Sequence, residues 1–549
     1  MSDRPRVIVL GLDGGTFALL DPWMADGTLP HLARLAATGS RGPLRSTVPP
    51  VTGPAWVSFM TGKGPGRHGV YDFVRPTPAG TGVGVVSHAS IRSETLFTIL
   101  ARHGRKVSSV NVPLTYPLPP VAGCAIAGML TPNTATDIMF PPDLGEQLAA
   151  ANIDYVRDVG WERFEHRQAE LVARLRHCVD ERVKACRFLM GRYPADLFLA
   201  VFTSTDRIQH SLWHLLTAAP ANRRQERVKA GLIGCYQAID AFIGEVAAGL
   251  DAGTSLVILS DHGFGPLAGK ISLNTILAEA GLLVFHPERL AALRRQRGAK
   301  AGLHALIRRL DAFDLWGRIM PRLVKRPRRL SNYAFLDCVD WSRTRAYAVS
   351  NSEQGIYINL RGRQAQGIVE PGADYEAVRE EVATLLAQLT GPDGRRLATT
   401  LLRREEIYAG PFLDEAPDLV VAFQDGEYVA DVQPRPERFP VRLWQHGSGT
   451  HRMDGILMLA GSPIQAGGRL TGAAITDVAP TILHLLDLPC PDDMDGRIIT
   501  EALTPAFRTA HPPRSEAATG GQGGTGGRPA YTAADKADLE QRLEELGYL

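Results

Sequence analysis

Five short apolar runs punctuate the chain: RVIVLGL at 6–12, VSSVNV at 107–112, DLFLAVFT at 196–203, SLVILS at 255–260 and GILMLAG at 455–461. They are β-branched and apolar at nearly every position rather than at alternate ones, which predicts parallel strands covered on both faces. Between them, residues 164–190 and 222–250 place apolar and charged side chains at the spacing of amphipathic helices. Strands separated by such helices predict an α/β fold with right-handed crossovers.

The interval 266–440 has a different texture. Residues 289–329 are rich in arginine and lysine, with RRQR, IRRL and VKRPRR interleaved with Leu, Ile and Trp316. We read this stretch as the solvated helical face of an inserted cap, with contact to an anionic membrane surface as the alternative. Strand-like runs (GIYINL, DLVVAF) and a helical pattern at 375–389 follow. The expected organisation is a core in two parts, 1–265 and 441–504, interrupted by a cap over 266–440. Residues 505–532 contain HPPRSEAATGGQGGTGGRP, too poor in apolar groups to pack, and are expected to be a flexible linker. Residues 533–549 predict a helical tail whose leucines dock on the body or on a partner.

Composition narrows the function classes. Lys+Arg 60 against Asp+Glu 58 gives no global field for nucleic acid, and no nucleic-acid partner is expected. The six cysteines are scattered without a CxxC pair, as in reduced structural thiols. No run reaches the roughly 20 apolar residues of a spanning helix, and a soluble, cytoplasmic protein is expected. Oligomeric state is not legible.

The chemistry gathers where predicted strands end. RVIVLGL runs into Asp13, DLFLAVFTST into Asp206, and SLVILS into Asp261-His262. The ligand crevice of an open α/β sheet lies at those carboxyl ends, although a single Asp there is equally a turn or cap residue. In TDRIQH, a helix beginning at Asp206 carries His210 one turn on, a spacing at which both side chains can share a metal. WQHGSGTHRMDG adds His446 and His451 on a glycine-rich loop. Three carboxylates and the imidazoles of His210, His262 and His451 form a mixed donor set suited to two divalent ions, Zn²⁺ first, with Mn²⁺ or Fe²⁺ as alternatives. Thr52, in VPPVTGPAWVSFMTG, reads locally as a helix N-cap or as an exposed nucleophile, and metal coordination is one way to activate such an alcohol.

Dispersed motifs in order then carry a resemblance: GLDGG (11–15), PPVTGPAW (49–56), MTG (60–62), RHGVYDF (67–73), NVPLTYP (111–117), TDRIQH (205–210), SDHGFG (260–265), GTHRMDG (449–455) and TDVAPTILHLL (476–486). From Arg6 to about Arg497 the chain resembles the alkaline phosphatase superfamily, in its type I phosphodiesterase/nucleotide pyrophosphatase-like branch, and more narrowly the bacterial and archaeal predicted phosphohydrolase or phosphomutase group. The resemblance implies an α/β fold with a mostly parallel central sheet flanked by helices and an inserted cap. It implies Thr52 as nucleophile, one ion held by Asp13, Asp261 and His262, and the other by Asp206, His210 and His451. The implied reaction is cleavage of a small phosphorylated substrate, monoester or diester, through a phosphothreonine. Phe73 stands where nucleotide pyrophosphatases carry an asparagine that contacts a phosphoryl oxygen, which argues against a nucleotide diester. Asn111, Asn351, Arg361 and Arg363 are offered as substrate contacts.

The rivals are narrower. TGPAW lacks the residue and the arginine of a sulfatase, and phosphoethanolamine transferases require spanning helices. Transfer to an alcohol, as in a phosphomutase, uses the same intermediate and stays open. So does a catalytically silent scaffold acting through the basic insert and the tail.

Overall fold

The computed structural model describes residues 4–77, 82–161, 164, 167–297, 333–391, 394–439, 448–520 and 531–546. Its centre is a ten-stranded sheet. Strand Arg6–Leu12 lies in the middle, parallel to Leu197–Phe202 on one side and to Thr254–Leu259 on the other. Val107–Val110 continues the parallel set beyond Leu197–Phe202. Alternate residues of the central strand feed different cores: Val7 and Val9 pack with Trp56, Phe59 and Phe97, whereas Leu10 and Leu12 pack with Leu175, Val179 and Ile243. The continuous apolar runs thus have the cause expected of them, helices on both faces. Helices Gln168–Arg192 and Arg223–Ala248 match the two long amphipathic patterns.

One strand runs the other way. Asp454–Ala460, expected to be parallel, pairs antiparallel with both Thr254–Leu259 and Ser40–Arg45. Hydrophobicity reports burial but not direction. The direction is set by the insertion, which leaves along Gly263–Pro266 and returns along Gly449–Arg452 in an antiparallel ribbon. The chain therefore re-enters the core at the edge where it left, heading back.

The interval between carries a second, six-stranded sheet, including Gly269–Ser272, Gly355–Ile358, Ala398–Arg403, Leu419–Phe423 and Tyr428–Asp431, and the helix Ala373–Ala387. Most of the basic stretch, 298–329, lies outside the described residues. Of its described part, Arg289 donates to the carbonyl of Asp337 and Arg294 to that of Pro434.

The segment expected to be a linker from 505 onward begins as structure. Pro505–Ala510 is a helix whose first turn is capped by Thr504, and Ser515–Glu516 pairs with Cys490–Pro491. Composition missed this because a proline at the first helical position and a side-chain cap start a helix without an apolar run. Residues 521–530 lie outside the described residues. The tail helix, Ala533–Glu545, docks on the body with Leu539, Leu543 and Leu546 buried. Tyr531 stacks on Tyr116 and donates to the carbonyl of Leu130 at 2.7 Å. Among the described residues, no helix is long and apolar enough to cross a membrane.

Candidate active site

Three of the central parallel strands deliver an aspartate to the same place. Asp13 follows Arg6–Leu12, Asp206 lies in the first turn of the helix Ser204–Thr217 after Leu197–Phe202, and Asp261 follows Thr254–Leu259. All three are buried. Gly14, in the left-handed region at φ 66°, turns the chain just past Asp13 so that its own amide donates to Asp261 Oδ1 at 3.1 Å.

The imidazoles complete two groups. Asp206 Oδ1, His210 Nε2 and His451 Nε2 lie at 3.4, 3.5 and 2.9 Å from one another. His262 Nε2 is 3.2 Å from Asp261 Oδ2 and 3.8 Å from Asp13 Oδ1. The rings of His262 and His451 stack with centroids 3.6 Å apart, so the groups are contiguous. The ligand atoms of Asp13, Asp261 and His262 fall within 4.8 Å of one another, as do those of Asp206, His262 and His451.

Each histidine is turned the same way. His210 Nδ1 faces the carbonyl of Gly449, His262 Nδ1 that of Gly263, and His451 Nδ1 that of Pro50, at 3.3, 3.0 and 2.8 Å. Donation there fixes the tautomer and leaves Nε2 with its lone pair toward the cluster, the usual support of a metal-ligating histidine. Both carboxylate oxygens of Asp13 are buried without a hydrogen-bond donor among the described residues. Burial, followed by the neighbouring Asp261 and Asp206, holds Asp13 well above the usual carboxylate range. Burial likewise pushes Asp261 up to about 7, against the pull of the Gly14 amide. Burial and then His451 hold His262 well below the ordinary imidazole range. Clustered buried carboxylates with outward-tied imidazoles fit divalent cations, which would supply the missing positive charge.

Thr52 sits at the edge of this cluster. It is the first residue of the fully buried helix Thr52–Thr61, with Val51 in the capping position, so the N-cap reading of Thr52 does not hold. Its Oγ1 lies 3.1 Å from His262 Nε2. Phe73 packs on the same turn: a Cβ at Gly53 would stand 3.2 Å from its ring.

The expected substrate contacts divide. Asn351 lines a cavity beside the cluster, but its Oδ1 accepts from Val432 N at 2.8 Å. Asn111 stands at φ 60° beyond Val107–Val110 and donates to the carbonyl of Val201. Arg363 is engaged by buried Asp418, and Arg361 pairs with Glu370 near the surface. The structure does not bring these two arginines to the cluster; they brace the cap. His446 lies outside the described residues.

Sequence reasoning missed two supports. Arg207, with no exposed side-chain area, donates to Asp206 and to Asp158. His210 and Arg207 hold Asp206 well below the usual carboxylate range although burial opposes them. Trp161 stacks over His210 at 6.3 Å. Arg207 was readable as the neighbour of a candidate ligand, whereas Asp158 and Trp161 lie in a stretch without periodic pattern.

The fold has counterparts among solved structures. The structure is similar to phosphonoacetate hydrolase from Sinorhizobium meliloti 1021, solved with phosphonoacetate, with 16% identity and a TM-score of 0.52 over 88% of this chain and 95% of that one. It is also similar to inactive murine ectonucleotide pyrophosphatase/phosphodiesterase 5 in complex with AMP, with 13% identity and a TM-score of 0.50 over 91% of this chain and 100% of that one. No curated protein sequence matches the chain. Residues 7–448 match the type I phosphodiesterase/nucleotide pyrophosphatase family, a match that spans all three aspartate-bearing strands and Thr52. The chain therefore belongs to that family and is a phosphoester hydrolase.

Proposed function

We propose that the protein cleaves a phosphate ester by two successive displacements on Thr52, with two divalent ions, zinc or manganese, as cofactors. Asp13, Asp261 and His262 would hold one ion, and Asp206, His210 and His451 the other; bound there, the ions supply Lewis-acid activation and charge stabilisation for an in-line displacement. The observation that carries the reading is the Thr52 hydroxyl 3.1 Å from His262 Nε2, at the start of a buried helix.

In the first step Thr52 Oγ1 attacks phosphorus, the bond to the leaving oxygen breaks, and a phosphothreonine forms. In the second, water attacks the phosphothreonine and Thr52 leaves. Each step inverts phosphorus, so the whole reaction retains configuration. The first helical turn after Thr52 directs its positive end toward the phosphoryl group throughout. The fixed tautomers of the three histidines keep Nε2 of each toward the cluster.

Turnover of p-nitrophenyl mono- and diesters with Zn²⁺ or Mn²⁺ tests the reading, with Thr52→Ala as control. Thr52→Ala should lose at least about a thousandfold in kcat, and acid quenching should trap phosphate on Thr52 of the wild-type protein. Unchanged turnover in Thr52→Ala, or inversion at a chiral phosphorus, would sink the mechanism. Added acceptor alcohol should not divert most of the phosphate; if it does, the protein is a transferase.

A further inference from the structure

The cavity beside the cluster has a volume of about 330 Å³, within the range of small-molecule sites, and reaches His210 and His451. One wall is a face of the cap sheet, and strand register explains its character. Leu402 pairs with Val420 and Thr400 with Ala422 across one ladder, and Lys270 with Val429 across another; all six line the cavity. Residues two apart on a strand share a face, so this wall is an apolar patch with a lysine at its edge. The core contributes Val48, Pro49 and Arg45 to the cavity lining.

Charge within the cavity is unbalanced. Among the described residues, Arg45 and Lys270 have no ion-pair partner, and Arg452 donates only to backbone carbonyls, including those of Gly426 and His451. Among the described residues, Asp425 is the one carboxylate in the lining. Two polar groups of the lining are already engaged, Asn351 Oδ1 as acceptor from Val432 N and Ser352 Oγ as donor to Asp72 at 2.7 Å, whereas Gln354 Oε1 has no hydrogen-bond partner among the described residues.

We propose that this cavity binds an amphipathic dianion: a phosphate ester whose non-reacting arm is apolar and ends in a second acidic group held by Arg45 and Lys270. The inference rests on the reading of the cluster as a phosphoester centre and names the class of ester it takes. Apolar walls favour a methylene chain over a polyhydroxylated sugar. Two cations, one from the core and one from the cap, favour a second anion over a neutral terminus.

Binding of non-hydrolysable phosphonates to the zinc-loaded full chain, followed by calorimetry, tests this independently of turnover. Hexylphosphonate should bind at least about tenfold more tightly than ethylphosphonate, and 6-phosphonohexanoate about two- to fivefold more tightly again. Lys270→Ala and Arg45→Ala should each reduce the carboxylate advantage while leaving hexylphosphonate affinity unchanged. Leu402→Asp should remove the gain with chain length. Equal affinities along the series, or AMP bound more tightly than 6-phosphonohexanoate, would overturn the proposal. So would an equal loss for hexylphosphonate and 6-phosphonohexanoate in both cation variants, because the cations would then hold the phosphonyl group itself. Failure of the catalytic reading looks different: these ligands would bind in the stated order, yet no p-nitrophenyl ester would turn over.

Discussion

Arg207 Nη2 donates to Asp158 Oδ2 at 2.9 Å with both side chains buried, while Nη1 of the same guanidinium donates to Asp206. One cation thereby orients a candidate metal ligand, and one remote carboxylate orients the cation. Removing a partner from a buried pair leaves an uncompensated charge, at a cost of about 3 kcal/mol or more. Asp158→Asn should lower stability in urea by that amount and weaken Zn²⁺ binding by about ten- to a hundredfold. Unaltered zinc affinity in a folded Asp158→Asn protein would mean that Asp206 does not depend on this chain of contacts.

Asp13 predicts a different signature. Among the described residues its oxygens have no donor, and they face Asp261 and Asp206, so its charge opposes the metal-free fold. Asp13→Asn should melt above the wild-type protein when both are stripped by chelator. Added Zn²⁺ should raise the wild-type melting temperature by several degrees, through preferential binding to the native state, and leave the variant nearly unmoved. Equal zinc shifts in both would remove Asp13 from the ligand set.

His68 makes a pH-dependent contribution. Val70 N donates to its Nδ1 at 3.2 Å, so Nε2 carries the proton and donates to Ser58 Oγ at 3.0 Å. Burial, then Arg92 and Lys63, push its pKa down to about 3, whereas the unfolded chain takes up that proton near 6.5. The contribution is therefore full above pH 6.5 and is lost as pH falls toward 3, at up to about 1.4 kcal/mol per pH unit. His68→Gln should flatten the fall of melting temperature between pH 6 and 4. An identical slope in both proteins would count against the assignment.

Asp72 works in the opposite sense. Burial pushes it up to about 6, although Ser352 Oγ donates to its Oδ1. Between pH 4 and 6 the folded protein keeps a proton that the unfolded chain has released, so stability falls as pH rises through that window. Asp72→Asn, which retains the acceptor, should be more stable than wild type by about 3 kcal/mol at pH 7 and equal to it below pH 4. Denaturant titrations at the two pH values decide it.

The tail should open on its own. Its attachment rests on three leucines, Tyr531 and a few polar contacts, including Trp161 Nε1 to the carbonyl of Leu546 at 3.1 Å. Leu543→Ala should accelerate amide exchange over residues 533–546 while leaving strand Arg6–Leu12 protected. Global acceleration would show that the tail belongs to the cooperative core.

Much of this was legible because burial and period are local properties. Continuous apolar runs marked the central strands, and aspartates at their ends marked the crevice. Strand direction was not legible, since Asp454–Ala460 takes its sense from an insertion that begins nearly two hundred residues earlier. Thr52 shows the same division. Local chemistry offered a cap or a nucleophile; the fold puts Val51 in the capping position and brings His262 beside Thr52 from 210 residues away, a neighbour no local pattern could show. The tie of Arg363 to Asp418 was not legible either, because a free arginine and one tied to a buried aspartate look alike in a sequence.

The ribbon formed by Gly263–Pro266 and Gly449–Arg452 has one further consequence. Its first strand begins directly after His262, its second contains His451, and everything between them in the chain is insertion or lies outside the described residues. Further seams join the same interval to the core, among them Tyr408 OH to the carbonyl of Val48 at 2.6 Å and Ser352 Oγ to Asp72 at 2.7 Å. Grafting a different cap at 266 and 449 would exchange one wall of the cavity while leaving the core's Arg45, Val48 and Pro49 in place.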